Sequence, residues 1–181
     1  RWADTYWRLV VRRPESLANA ARLRIALAQR PWRQTVVEQT DEDLVLGLAG
    51  LGRFNEARRL AEVLHPTKKT KGNLLVNGGF SGEPAVAPFD WQLASLGNLG
   101  ASINAGNGQL LISAVGGASG SAAQQVVQLA PGNYRLAWEL SSSAPINADV
   151  IRLRIFCAES NVGAYTQISM PMLAGKRSSN V

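Results

Sequence analysis

The chain has 181 residues, enough for one large or two small domains with cores of ordinary size. Its 46% hydrophobic and 18% charged content belongs to a folded protein and excludes an intrinsically disordered one. The whole net charge of +6 sits in the first part: residues 1–72 hold 14 Lys and Arg against 8 Asp and Glu, whereas residues 73–181 hold 5 against 5.

From Trp2 to Leu64 the apolar residues recur at helical spacing in a background of good helix formers. The first helix is predicted from about Ala3 to Arg12 and is broken by Pro14, which opens the second with Glu15 beside the positive end of its dipole. In that second helix Leu17, Ala20, Ala21, Arg24, Leu27 and Ala28 keep the three-and-four rhythm until Pro31. Asp41, Glu42 and Asp43 predict the first turn of a third helix, where negative charge meets the same partial charge. Gly52 supplies a left-handed cap, and Asn55, Glu56 and Ala57 start a fourth helix that turns back on the third. His65, the single histidine, precedes Pro66 at the helix end and reads as a cap on the C-terminal dipole.

The segment Leu44-Val-Leu-Gly-Leu-Ala-Gly-Leu-Gly-Arg-Phe-Asn-Glu-Ala57 resembles the middle of a tetratricopeptide repeat. It has small residues where paired helices approach, Leu-Gly-Arg-aromatic at the turn, Glu-Ala in the second helix and a closing proline, Pro66. The likeness covers Asp41 to Pro66 and departs from the family in its early proline, which shortens the second helix. A single repeat does not bury both faces, so the helices before Pro31 are expected to pack against it. The resemblance implies helical hairpins of a kind that binds proteins.

Thr67 to Gly72 lacks periodicity and holds the one basic cluster, Lys68-Lys69-Thr70-Lys71. The expected organisation is a helical domain at 1–66, a linker at 67–73 and a β domain at 74–181. After the linker the period falls from near 3.6 to 2. Tyr134, Leu136, Trp138 and Leu140 alternate with Arg135, Ala137 and Glu139, and Ile151, Leu153 and Ile155 alternate with Arg152 and Arg154. Val127 and Leu129 are expected on the inward face of a preceding strand, with Gln124 and Gln128 on the other. Ile103 and Leu110 to Ser113 mark further strands, punctuated by Gly106-Asn107-Gly108 and Gly116-Gly117. Short strands between glycine turns predict an antiparallel β-sandwich, hence an α+β chain of two domains.

Asn73-Leu-Leu-Val-Asn-Gly-Gly-Phe80, the Phe89-Asp90-Trp91 segment, a Gln-rich strand and Leu129-Ala-Pro-Gly-Asn-Tyr134 follow one another in an order similar to the galactose-binding-like jelly roll of carbohydrate-binding modules. The resemblance runs from Asn73 to near Cys157 and implies a glycan-binding sandwich. Such modules carry acids around the Asn-Gly-x-Phe turn that hold a structural calcium. Here Gly79 and Ser81 stand at those positions with Glu83 alone nearby, too few oxygen ligands for a hard cation, so no cofactor is expected. The strand pattern stops near Leu173, short of the usual module, which implies a missing last strand and an open sheet edge able to accept a partner strand.

Candidate chemistry is sparse. One cysteine, Cys157, permits no internal disulfide and reads as a strand thiol with no His or Asp neighbour to activate it. No apolar run nears 18 residues, so no transmembrane helix is expected. Zinc-ligand spacing, a nucleophile elbow and a phosphate loop are missing from the sequence, and Glu139 with Asp149 shows no evident pairing for glycoside hydrolysis. The expected protein is therefore not an enzyme. The arginines Arg8, Arg12, Arg22, Arg30, Arg53 and Arg59 are interspersed with acids and form no ordered basic stripe, so nucleic acid is not an expected partner.

Binding is the better expectation. Trp91 and Trp138 are candidates for stacking on a sugar ring, but Trp138 shares parity with Tyr134 and Leu136 and reads as core, and Trp91 reads as sealing the sandwich end. The residues out of phase with the core, Arg135, Glu139, Arg152, Arg154 and Phe156, are expected to line one sheet face together with Gln124 and Gln128. An arginine-rich face suits an anionic sugar or a carboxylate through bidentate pairing. The competing reading is a face covered by the helices or simply solvated. These expectations combine into a noncatalytic adaptor with a protein partner, a polysaccharide or both, in an envelope or exopolysaccharide context with a periplasmic or secreted setting. The alternative is an assembly subunit whose sandwich mediates protein contacts.

Overall fold

The computed structural model describes residues 2–66, 72–142, 145–147, 150–159, 166–169 and 178–180. The basic cluster at 68–71, Asp149 and the strand pattern expected up to Leu173 lie outside the described residues. The chain is α+β, with four helices followed by eight short strands, and it divides into two compact units, Arg1–Val127 and Gln128–Val181.

The first unit opens with helix α1 (Trp2–Val10), a 3-10 turn at Pro14–Ser16, then α2 (Leu17–Ala28), α3 (Glu38–Gly50) and α4 (Phe54–Leu64). Pro14 suits that turn because its fixed φ belongs at a helix start, where its missing N–H has no partner to lose. Trp7, Leu17, Ala20, Ala21, Leu44, Val45, Leu48, Ala57, Leu60 and Ala61 bury their side chains in one cluster drawn from all four helices. Burying residues the size of Leu44, Leu48 and Leu60 stabilises the fold by about 1.5–3 kcal/mol each. Close approach at this core needs Gly47, where a Cβ would come within 3.0 Å of the Leu17 side chain.

The α3–α4 turn is closed by a Schellman pair. The Gly52 N–H donates to the Ala49 carbonyl and the Arg53 N–H to the Leu48 carbonyl, each at 2.9 Å. Gly52 sits at φ +73°, a left-handed conformation that the sequence assigned to it and that costs a side-chain-bearing residue about 1–2 kcal/mol. At the far end of α4 the His65 N–H donates to the Ala61 carbonyl at 2.8 Å, which makes His65 the C-cap residue.

Two features of this half are not visible in helical periodicity. Helix α3 starts at Glu38, three residues ahead of the acidic run, and Asp41 is buried instead of facing solvent at the helix end. Its carboxylate accepts two hydrogen bonds from Arg24, Nε at 2.7 Å and Nη2 at 2.8 Å, while Arg24 Nη1 donates to the Gln34 carbonyl at 3.0 Å. Arg24 is 4% exposed and Asp41 6%, so a bidentate ion pair ties α2 to α3 inside the core. The second feature is that Val86 is buried in the helical cluster with Phe89 packed against it. Residues beyond the expected linker thus complete the helical core, and the compact unit runs on to Val127.

The remainder of the first unit holds β1 (Gln92–Leu93), β2 (Leu99–Asn104), β3 (Gln109–Ala114) and β4 (Ala123–Gln124). Strands β2 and β3 form an antiparallel hairpin over Ala105–Gly108, the turn that Gly106-Asn107-Gly108 predicts, and β1 pairs antiparallel with β4. Beyond β1, the Ala94 carbonyl accepts from the Ala101 N–H and Ser95 bridges to Gly100, which brings that segment alongside β2. Leu99 and Ile103 bury one face of β2.

In the second unit β5 (Trp138–Leu140) pairs with β8 (Ser178–Asn180), and β6 (Arg152–Ile155) pairs with β7 (Thr166–Ser169), both antiparallel. The Tyr134 hydroxyl donates to the Ala130 carbonyl and closes the Pro131-Gly132 bend. Among the described residues the strands pair two by two, a coarser arrangement than a layered sandwich. The strand expected through Val127 and Leu129 is confined to Ala123–Gln124, with Leu129 exposed. The strand expected from Tyr134 is confined to Trp138–Leu140.

Candidate functional site

Strand β6 carries two exposed arginines among the described residues of the second unit. Ile151 and Leu153 are half-buried while Arg152 and Arg154 are exposed, the alternation that a pleated strand imposes, and it ends at Ile155, which is 40% exposed. The two arginines lie on one face, about 7 Å apart along the strand at the usual rise. In the ladder they stand opposite Ser169 and Gln167. Phe156 follows with the same parity just past the strand end and is 58% exposed. A guanidinium carries five N–H donors in a rigid fork, so each arginine can keep a partner within the chain and still offer donors to an anion. An aromatic face beside such a pair accepts the apolar side of a sugar ring or a cation.

The other expected members of the face are carried by other strands and segments. Glu139 is exposed on β5, which pairs with β8 and not with β6, and Arg135 is exposed in the extended segment before it. Gln128 is exposed at the start of the second unit. Gln124 belongs to the first unit, on β4, where its Nε2 donates to Gln92 Oε1 at 2.6 Å and its Oε1 accepts from Ser121 Oγ at 3.5 Å. Of the residues expected on one face, Gln124 belongs to the β1–β4 ladder, Glu139 to β5–β8, and Arg152 and Arg154 to β6–β7. Alternation along a strand says which side a residue takes, but which strand lies beside it depends on pairing between distant segments. The strands expected through 124–129 and 134–140 are short, Ala123–Gln124 and Trp138–Leu140.

A second constellation, in the first unit, centres on Asn77. This residue sits at φ +50° in the Asn-Gly-Gly-Phe turn, and its side chain closes the loop: Nδ2 donates to the Gly82 carbonyl at 2.7 Å and Oδ1 accepts from the Ser81 N–H at 2.8 Å. Its carbonyl accepts the Trp91 indole N–H at 3.1 Å, and the Phe80 and Trp91 rings pack with centroids 5.3 Å apart. Trp91 thus seals this turn, as a half-buried aromatic with a satisfied polar tip. Asp90 is buried and accepts from the Ala85 and Trp91 N–H groups at 3.0 and 2.7 Å. Gln125 clasps Val76 from 49 residues away, accepting from its N–H at 3.1 Å and donating to its carbonyl at 2.9 Å. The sequence reading had no role for Asp90 or Gln125. Their signal is weak because a buried carboxylate and an amide that substitutes for a strand look like any solvent-facing pair until the partner segments are known.

Among the described residues no group of three or more His, Cys, Asp or Glu gathers as a metal site. Cys157 is half-buried. No helix is long and apolar enough to cross a membrane among the described residues. No family model, no curated protein and no solved structure matches the chain.

Proposed function

We propose that this chain is a noncatalytic binding protein: tetratricopeptide-like helices make protein contacts, and a β portion resembling a carbohydrate-binding jelly roll takes an anionic glycan, in an envelope or exopolysaccharide setting. The observation that carries the reading is the β6 pair, Arg152 and Arg154, exposed on one strand face with Phe156 beyond them. Guanidinium forks two residues apart on one strand face suit a chain of carboxylated sugars, which accepts bidentate hydrogen bonds from the donors that partners within the chain leave over. Phe156 supplies an apolar platform at the end of the same face. The ligand class favoured is acidic polysaccharide over neutral polysaccharide.

Isothermal titration calorimetry of the full chain against acidic and neutral polysaccharides tests this. The expected result is binding to the acidic ones, weakened at least about tenfold in the Arg152→Ala/Arg154→Ala double variant, the loss of one to two charge-assisted hydrogen bonds. Silence across both classes, or equal binding by the double variant with an unchanged unfolding midpoint, overturns the proposal.

A further inference from the structure

The β2–β3 hairpin has one covered edge and one open edge, and the hydrogen bonds say which groups the open edge presents. The Val115 N–H donates to the Asn98 carbonyl at 2.9 Å. In an antiparallel ladder bonded and non-bonded facing pairs alternate, so Gly100 with Ser113, Ser102 with Leu111 and Asn104 with Gln109 form the bonded pairs. The outward groups of β2 obey this rule, since the Ala101 N–H donates to the Ala94 carbonyl and the Leu99 carbonyl accepts from the Leu96 N–H. On β3 the same alternation turns the N–H and C=O groups of Leu110, Ile112 and Ala114 away from β2. Among the described residues no backbone partner meets that edge.

Both faces of this edge strand carry exposed apolar side chains, with Gln109 and Ser113 exposed beside Leu111 and with Leu110 half-buried beside Ile112. Leu111 is 48% exposed, Ile112 47% and Val115 64%. Edge strands are ordinarily blunted by charge, proline or a bulge. Here no Lys, Arg, His, Asp or Glu occurs from Trp91 to Tyr134, and β3 contains no proline. A flat, uncharged, apolar edge of this kind is a template for another strand.

We infer that a second copy of this chain occupies the edge, through antiparallel β3–β3 pairing about a two-fold axis at Ile112. The outward groups are self-complementary in that arrangement. Ile112 faces Ile112 of the second copy, and Leu110 faces Ala114 in both directions. All three facing pairs fall in the bonded phase, and each exchanges two hydrogen bonds. A two-fold contact sets the residue on its axis against itself, so a charge at Ile112 would meet its own sign; the uncharged stretch removes that obstacle. Leu111 directly faces Ser113 of the partner on the opposite face, in the non-bonded phase. Pairing also joins the β2–β3 hairpins of two copies into one continuous sheet. The inference does not depend on glycan binding by β6.

Sedimentation velocity and light scattering on the full chain across a dilution series test the pairing. A concentration-dependent dimer is expected for the wild type. Ile112→Lys and Ile112→Glu should each raise the dissociation constant on the order of 100-fold, because two apolar contacts are lost and like charges face each other. An equimolar mixture of the two variants should recover the dimer, since opposite charges then meet at the axis. Amide hydrogen exchange on the wild type supplies a readout free of any folding defect: Leu110, Ile112 and Ala114 should lose protection on dilution while Leu111 and Ser113 keep theirs. A wild type that stays monomeric throughout, variants that dimerise unchanged, or dilution-independent protection at these three amides overturns the inference.

Discussion

Replacing Asp41 by Ala tests the buried ion pair that joins α2 to α3. The substitution removes both acceptors of the Arg24 fork and leaves a guanidinium 4% exposed with one remaining hydrogen bond, to the Gln34 carbonyl. Breaking a buried pair from one side costs about 3–5 kcal/mol, mostly because a desolvated charge loses its partner. At roughly 2–4 °C per kcal/mol for a chain of this size, the melting temperature should fall by about 10 °C. Urea unfolding followed by the helical circular dichroism signal measures the loss directly. The exposed Arg53–Glu56 pair, with its 2.7 Å contact on the surface of α4, is the internal control: Arg53→Ala should cost about 0.3–0.5 kcal/mol. Substituting both buried partners, as Arg24→Met/Asp41→Leu, should restore most of the stability, because the penalty lies in the orphaned charge and not in the absence of the pair. Should Asp41→Ala lose less than about 1 kcal/mol, or the double variant be no more stable than the single one, the account of a desolvated and mutually dependent pair is wrong.

Two further outcomes follow from the first unit. Val86→Ala removes two methyl groups from the helical cluster and should destabilise the helices themselves by about 2 kcal/mol; a helical signal that melts at the wild-type midpoint would show that the segment after residue 72 does not complete that core. Asn77→Ala deletes both side-chain hydrogen bonds of the turn and places a residue without a local acceptor at φ +50°, so a loss of about 2 kcal/mol is expected together with a shifted Trp91 indole N–H resonance in the NMR spectrum. An unmoved resonance and unchanged stability would rule out the turn as the anchor of Trp91.

Local signals in this chain were read correctly where the physics is local. Apolar spacing placed the four helices to within a few residues, Gly52 marked the α3–α4 reversal, and Gly106-Asn107-Gly108 marked the β2–β3 turn. Each depends on the dihedral preferences and side-chain periodicity of neighbours in sequence, which a linear reading contains. Alternation also separated Arg152 and Arg154 from Leu153 on β6, so that part of the candidate site was legible.

Long-range partnership was not. Arg24 looked like one more member of a helical stripe and Asp41 like a dipole acid, until a fold that brings them together across 17 positions made them a buried pair. Val86 carries no mark of belonging to a helical core, and the Gln125 clasp on Val76 spans 49 positions. The distribution of Gln124, Glu139 and the β6 arginines over three ladders has the same origin. Period and propensity act within a segment, whereas burial of a charge, completion of a core and the assembly of a surface depend on which segments meet. That choice is made by the summed packing and hydrogen bonding of the whole chain.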